Sequence, residues 1–370
     1  MKNVFRVCTS LILMLLLHGA WGQILIGQTA GFTGVVAAST QEASNGAKLY
    51  IDWVNASGGV HGQKIELIQM DDKFDPKLTA ENTRVLIEDK KVLALVLDRG
   101  TPNTEAMLPL LDKYGVALIA PSTGAMIFHK PLKRYVFNVR STYQHEAEKA
   151  IEHQHTVGVS KIAIIHADDS FGLDALEGAM HGFDKFKGKP TIVIKADRNK
   201  PDFVSIVAEI VKNEPQSVLW IGSGTAVVDG IKALRAAGSS VPVLTLSNNA
   251  SSGFIKGLGK DGPGVIVSQV FPAERALSYG MIRQAQDLAK ANGGTGVSPA
   301  MLEGFAGAKV LVEALRRAGA HPSRESIVTA LNGMKNFDLG GLVINYSPTN
   351  HTGLDFSDLS IISRDGKFVR

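Results

Sequence analysis

The sequence predicts an α/β protein built on two doubly wound parallel sheets, and three observations predict it. Its 370 residues allow roughly two domains of ~150 residues each. Short β-rich apolar runs alternate with amphipathic segments, the pattern of βαβ units. The alternation then restarts after about Arg140, so the series occurs twice. With 45% hydrophobic and 20% charged residues, the chain is neither disordered nor collagen-like. A core of this size needs no disulfide or structural metal.

The elements follow in order. Lys2 and Arg6 precede the apolar run Leu11–Leu17, and Ala20-Trp21-Gly22 offers small residues before a cut at Gln23. This is the layout of a cleavable signal peptide, residues 1–22, and the run is too short to span a bilayer. Its removal takes away Cys8, the one cysteine, and leaves 37 basic against 35 acidic residues. The positives are scattered, so a sequence pI near 9.0 does not indicate a nucleic-acid partner. An exported, soluble product is expected.

From Gln23 onward, Ile24–Gly27 reads as a strand. The helix after it repeats Ala43, Ala47, Tyr50, Ile51 and Val54 and stops at Ser57-Gly58-Gly59. Lys64–Met70 is a strand, and Asp75-Pro76 caps and opens a helix to about Glu88. Val92–Leu97 and Val116–Ala120 are continuous apolar runs, as in strands buried on both faces. In the second series the strands are Lys161–His166, Thr191–Lys195, Ser217–Ile221, Val241–Leu246 and Val265–Val270. Helices lie near 172–186, 202–213, 225–237 and 251–258. The stretch 276–332 is nearly all helical, and the tail holds short strands at Leu342–Asn345, Leu359–Ser363 and Lys367–Val369. Helices after the second series imply that the chain crosses back between domains.

In open α/β sheets ligands bind at the carboxyl ends of strands. Here those ends read Gly100-Thr101-Pro102-Asn103-Thr104, Pro121-Ser122-Thr123-Gly124, Asp168-Asp169-Ser170-Phe171-Gly172, Gly222-Ser223-Gly224-Thr225 and Ser247-Asn248-Asn249. They are rich in hydroxyls, amides and glycine. Several open helices, whose N-terminal amides favour an anion. Any one of these residues is explained as a helix cap; five consecutive ends of one chemistry point to a ligand cleft.

Enzyme signatures are lacking. Gly222-Ser223-Gly224 begins a dinucleotide fingerprint, but Val227 stands where its third glycine belongs. There is no P-loop and no nucleophile elbow. His153 and His155 are splayed by their spacing on a helix, which argues against zinc. Asp71-Asp72 with Asp75 reads as a strand end and a helix cap rather than a cation site. No catalytic residue, metal or cofactor is expected.

With these residues in view, the chain resembles type I periplasmic solute-binding proteins of the branched-chain amino acid (Leu/Ile/Val-binding) group, which serve ABC importers. The resemblance runs from Gln23 to Arg370. It rests on Ile26-Gly27-Gln28 with Phe32-Thr33-Gly34, Val54-Asn55-Ala56-Ser57-Gly58-Gly59, Asp71-Asp72 with Asp75-Pro76, and Ala120-Pro121-Ser122-Thr123-Gly124. Asp168 with Phe171-Gly172, Ala236-Ala237-Gly238 and Asp365-Gly366-Lys367-Phe368 complete it. The resemblance implies the type I periplasmic binding protein fold: two lobes joined by a three-strand hinge that closes over a small-molecule ligand. It also implies a monomer in the periplasm, with permease subunits as partners. Placed on this sequence, lobe one is 23–140 plus 271–350, and lobe two is 141–270 plus the tail 351–370.

By position, the resemblance makes Thr101 a hydroxyl for a ligand carboxylate, with Ser122, Thr123 and Gly124 at the next strand end. Ser39, Phe171 and Ser223 fall where the family places aromatics. Ser247, next to Asn248, falls where amino-acid binders carry an acid for the α-ammonium. Serines at 39 and 223 imply a roomier or more polar pocket. Burying an ammonium without its carboxylate would cost ~3–5 kcal/mol. An organic acid, aromatic acid or amide is therefore expected in place of leucine. Arg99 is a candidate anion partner; a solvated Arg99, or one paired with Asp98, is the alternative. Transport leads among the roles, ahead of a ligand-sensing subunit of the same fold and of an exported α/β enzyme.

Overall fold

The computed structural model describes residues 22–370, so the signal peptide assigned to residues 1–22 lies almost wholly outside the described residues. The first sheet holds β1 (Ile24–Ala30), β2 (Ile65–Asp71), β3 (Ala94–Val96), β4 (Ala117–Ile119) and β5 (Val136–Phe137). Their order is β2-β1-β3-β4-β5, all parallel. The second holds β6 (Ile162–Ala167), β7 (Ile192–Ala196), β8 (Ser217–Ile221), β9 (Val243–Thr245) and β10 (Ile266–Gln269). Its order is β7-β6-β8-β9-β10, so both lobes share one strand order and one switch point. The tail strands β13 (Asp358–Ile362) and β14 (Phe368–Val369) extend the second sheet beyond β10, but antiparallel. That makes the sheet mixed, where the sequence predicts parallel sheets. A short antiparallel pair, β11 (Phe337–Asp338) and β12 (Val343–Ile344), stands apart.

The helices of the first series are α1 (Ala37–Ala56), α2 (Pro76–Glu88) and α3 (Thr101–Tyr114). Asp75 caps α2 by accepting from the Lys77 amide at 2.8 Å. The second series has α4 (Tyr143–Thr156), α5 (Ser170–Lys185), α6 (Phe203–Asn213), α7 (Gly224–Ala236) and α8 (Ser252–Leu258). His153 and His155 lie on the exposed side of α4. Three helices then return to the first sheet: α9 (Gly280–Ala291), α10 (Pro299–Ala318) and α11 (Arg324–Asn332). Met281, Leu302, Phe305 and Leu311 join Ile24, Ile26, Val96 and Ile119 in one buried cluster. The chain thus passes between the lobes three times: after β5, after β10 and after β12.

A second apolar cluster runs through both lobes, from Leu95 and Leu118 by way of Phe128 and Tyr143 to Ile164 and Leu219. The lobes also meet along the cleft. Glu42 on α1 accepts from the Ser252 and Gly253 amides at 3.0 and 2.8 Å, and the Thr225 amide reaches the Val35 carbonyl at 3.0 Å. A Cβ on Gly224 would sit 1.8 Å from that carbonyl, so only glycine allows this approach.

Candidate functional site

The ends of β3, β4, β6, β8 and β9 converge on one pocket of about 250 Å³ between the lobes. In the first lobe two strands end on left-handed residues, Leu97 and Ala120, both at φ 52°. Such backbone costs ~1–3 kcal/mol per residue and persists only where the surroundings hold it. Just beyond these turns, Arg99 and Ser122 face each other as a parallel bridge.

Arg99 is only 4% exposed. Its Nη1 donates to Ser122 Oγ at 2.9 Å. Its Nη2 donates to Ser39 Oγ at 2.9 Å and, across the cleft, to the Asn248 carbonyl at 2.6 Å. All three acceptors are neutral, and among the described residues Arg99 has no ion-pair partner. Burial holds its pKa below the ordinary arginine value, against the pull of Tyr143 and Glu303. The neighbouring Asp98 carboxylate accepts from the Thr104 hydroxyl instead, and burial raises it to about 7. Arg99 is therefore neither solvated nor paired with Asp98.

Of the other residues singled out in the sequence, Thr101, Ser122, Phe171, Ser223 and Asn248 line the pocket with Arg99. Asn248 Nδ2 donates to Ser223 Oγ at 2.9 Å and to the Gly222 carbonyl at 3.0 Å, while its Oδ1 is buried without a partner. The Phe171 ring meets Tyr143 edge-on at 4.8 Å. Thr123 stands behind the wall, its hydroxyl 2.8 Å from that of Thr101. Gly124 packs on the Ser141 carbonyl, and Ser39 touches the site through Arg99. The N-termini of α3, α5 and α7 border the pocket through Thr101, Phe171 and Ser223. Phe74, Gly100, Tyr143, Asp169 and Arg198 also line it, and the sequence reading gave none of them this role.

Ser247 is turned into the hinge. Its hydroxyl accepts from Arg140 Nη2 at 2.6 Å, and its amide donates to Glu146 Oε2 at 2.9 Å. Arg140 pairs with Glu146 from the second lobe and approaches Glu303 of α10, from the first, at 3.7 Å. Ser268, near the second crossing, donates to the same Glu146. Burial opposes the charge on Arg140, but Tyr143, Glu146 and Glu303 outweigh it and raise its pKa. At the position where an acid for an ammonium was looked for, the site carries a serine held by an arginine.

The family model described as periplasmic binding protein matches residues 23–356. A Pseudomonas aeruginosa protein named amino acid binding protein is 24% identical over 213 residues; the match covers 56% of each chain, little more than half the length. The Leu/Ile/Val-binding protein homolog 3 of Brucella melitensis is 24% identical over 359 residues, 95% of this chain and 94% of its own. A crystal structure from Rhodopirellula baltica, described as a possible leucine/isoleucine/valine-binding protein, superposes with a TM-score of 0.88 at 22% identity, covering 95% of this chain and 97% of that one. The shared fold, with a ligand-sized pocket between lobes that cross three times, and the family match over most of the sequence agree: the chain belongs to the periplasmic binding protein family.

Proposed function

We propose that this protein captures a small carboxylate-bearing solute in the interlobe pocket and presents the closed form to the permease of an ABC importer. Arg99 carries the reading. A guanidinium buried among neutral oxygens is short of one counter-charge, and a ligand carboxylate supplies it with charge-assisted, bidentate hydrogen bonds. The helix N-termini at the pocket favour the same sign of charge. The nearby acids are engaged elsewhere: Asp169 with Arg198, and Glu146 and Glu303 with Arg140. An organic or aromatic acid without an α-amino group fits these partners, and Phe74, Tyr143 and Phe171 offer rings to its apolar part. Family membership supports delivery to a transporter, and closure of two lobes over a ligand is the signal a permease reads.

The test is a thermal-shift screen on residues 23–370, refolded to strip bound solute. The panel holds leucine, isoleucine and valine, aliphatic and aromatic carboxylates, and small amides. A solute at ~100 times its Kd adds about 2.7 kcal/mol and raises the midpoint visibly. Stabilisation by acids lacking an amino group, without a response to leucine, is the expected result. Stabilisation by leucine, with no response to the acids, overturns the reading.

A further inference from the structure

The inner pocket lies beside a larger cleft of about 1300 Å³ that opens to solvent. Three residues border both spaces: Phe74 from the first lobe, and Asp169 and Arg198 from the second. They form the wall between them. Arg198 Cζ lies 3.6 Å from the centre of the Phe74 ring, close enough for a cation–π contact. Its Nη1 reaches Asp169 Oδ2 at 3.2 Å, and its Nη2 donates to Asn103 Oδ1 at 2.7 Å. Arg198 and Asp169 side chains are each only 13% exposed, and Arg198 Nε is buried without a hydrogen-bond partner.

The two halves of this wall are prepared separately. On the first lobe, Lys73 and Phe74 both adopt left-handed backbone, at φ 53° and 63°, and the Phe74 amide donates to Asp72 Oδ1 at 2.8 Å. Two strained residues in a row turn the ring into the cleft. Gly100 leaves it room: at φ 99°, a Cβ there would fall 2.6 Å from the ring and 2.9 Å from Arg198 Nη2. On the second lobe, Asp169 also caps α5, accepting from the Gly172 amide at 2.9 Å, so the carboxylate is fixed before it meets the arginine. When the lobes part, Arg198 keeps Asp169 and loses the ring and Asn103.

We propose that Phe74, Asp169 and Arg198 are a gate between the outer cleft and the inner pocket, so that the Arg198–Phe74 contact controls how often the pocket opens. The proposal rests on the pocket being the ligand site. The gate is nevertheless measurable without a ligand, because water reaches the pocket by the same opening.

The experiment is amide hydrogen exchange on the protein with no added solute, followed in residues 120–125 and 246–250 at the pocket and in β8 as an internal control. Arg198→Ala and Phe74→Leu are expected to speed exchange at the pocket by roughly tenfold and leave β8 unchanged. The double variant is expected to be no faster than the faster single one, because both changes remove one contact. Arg198→Lys, the milder change, is expected to fall between wild type and Arg198→Ala. Wild-type exchange in both single variants, or a rise that includes β8 equally, overturns the gate. A carboxylate panel that fails to stabilise the protein removes the ligand assignment and leaves this result standing. Acid binding combined with unchanged exchange removes the gate alone.

Discussion

Two arginines, both almost wholly buried, stand at the centre of the cleft and at the hinge. Arg140 is ringed by charge: Glu146 and Glu303 from opposite lobes, and the Tyr143 ring 4.5 Å from its guanidinium carbon. Arg99 meets two serine hydroxyls and a carbonyl. The same side chain, equally desolvated, is pushed to a higher pKa at the hinge and a lower one in the cleft. The comparison separates a charge spent on structure from a charge kept for a partner. An ion pair that is buried and complete holds a junction together; one missing its anion marks where an anion is to come.

Breaking the hinge arginine should have the largest effect. Arg140→Ala strands Glu146 and Glu303 in the interior, and denaturant unfolding should show a loss of about 3–5 kcal/mol. A loss below about 1 kcal/mol would show that the hinge charges are not coupled as described. Arg99→Met should behave in the opposite way. Carboxylate affinity by calorimetry should fall about 100-fold, or ~2.7 kcal/mol. The unliganded stability should change by less than about 1 kcal/mol, since no buried carboxylate loses its partner. Equal stability losses in the two variants would erase the distinction.

The smallest effect is read from pH. Asp98 sits beside Arg99 in sequence but takes no charge from it, and its pKa rises from 3.8 to about 7 on burial. The folded state then binds more protons than the unfolded state between these values, so stability falls as pH rises through that window. Between about pH 5 and about pH 8, Asp98 should account for a decline on the order of 2 kcal/mol. Asp72, raised to about 6 by burial, adds to the decline in the same direction. Asp98→Asn should flatten the profile by its own share, and an unchanged profile would show that the carboxyl pairs with a cation in solution.

The fold was readable in the sequence wherever an element carries its own apolar signature. Strands such as Ser217–Ile221 and helices such as Pro299–Ala318 lie where the periodicity puts them, within a residue or two. Two helices were missed. α3 is obscured by Pro102 and Pro109, although Pro102 in its first turn and Gly115 in left-handed conformation at its end are both start and stop signals. α4 is rich in Glu, His and Lys, and the repeat of Tyr143, Ala147, Ala150, Ile151 and Gln154 that buries it is only partly apolar. β5 has two residues, too few for any pattern.

The site divides along the same line. Arg99, Thr101, Ser122, Phe171, Ser223 and Asn248 sit at strand ends, where topology alone sends a ligand. Arg198 and Phe74 do not. They lie more than a hundred positions apart on loops, and the contact between them exists only after both lobes have folded and met. Ser247 shows the converse: its position along the strand end is suited to a ligand, but its hydroxyl direction is set by Arg140, distant in sequence.

The return of α9, α10 and α11 to the first sheet carries a consequence for how the molecule is made. The parallel strands of the second lobe all come from one stretch, Ile162 to Gln269, and their partners are close at hand along the chain. The first lobe completes its main buried cluster only with residues such as Leu302, Phe305 and Leu315. During synthesis at ~5–20 residues per second, one face of the earliest sheet stays uncovered for on the order of ten seconds or more. The lobe that begins first is thus the last to be finished, and its long-range contacts make it the slower and more aggregation-exposed half of the chain.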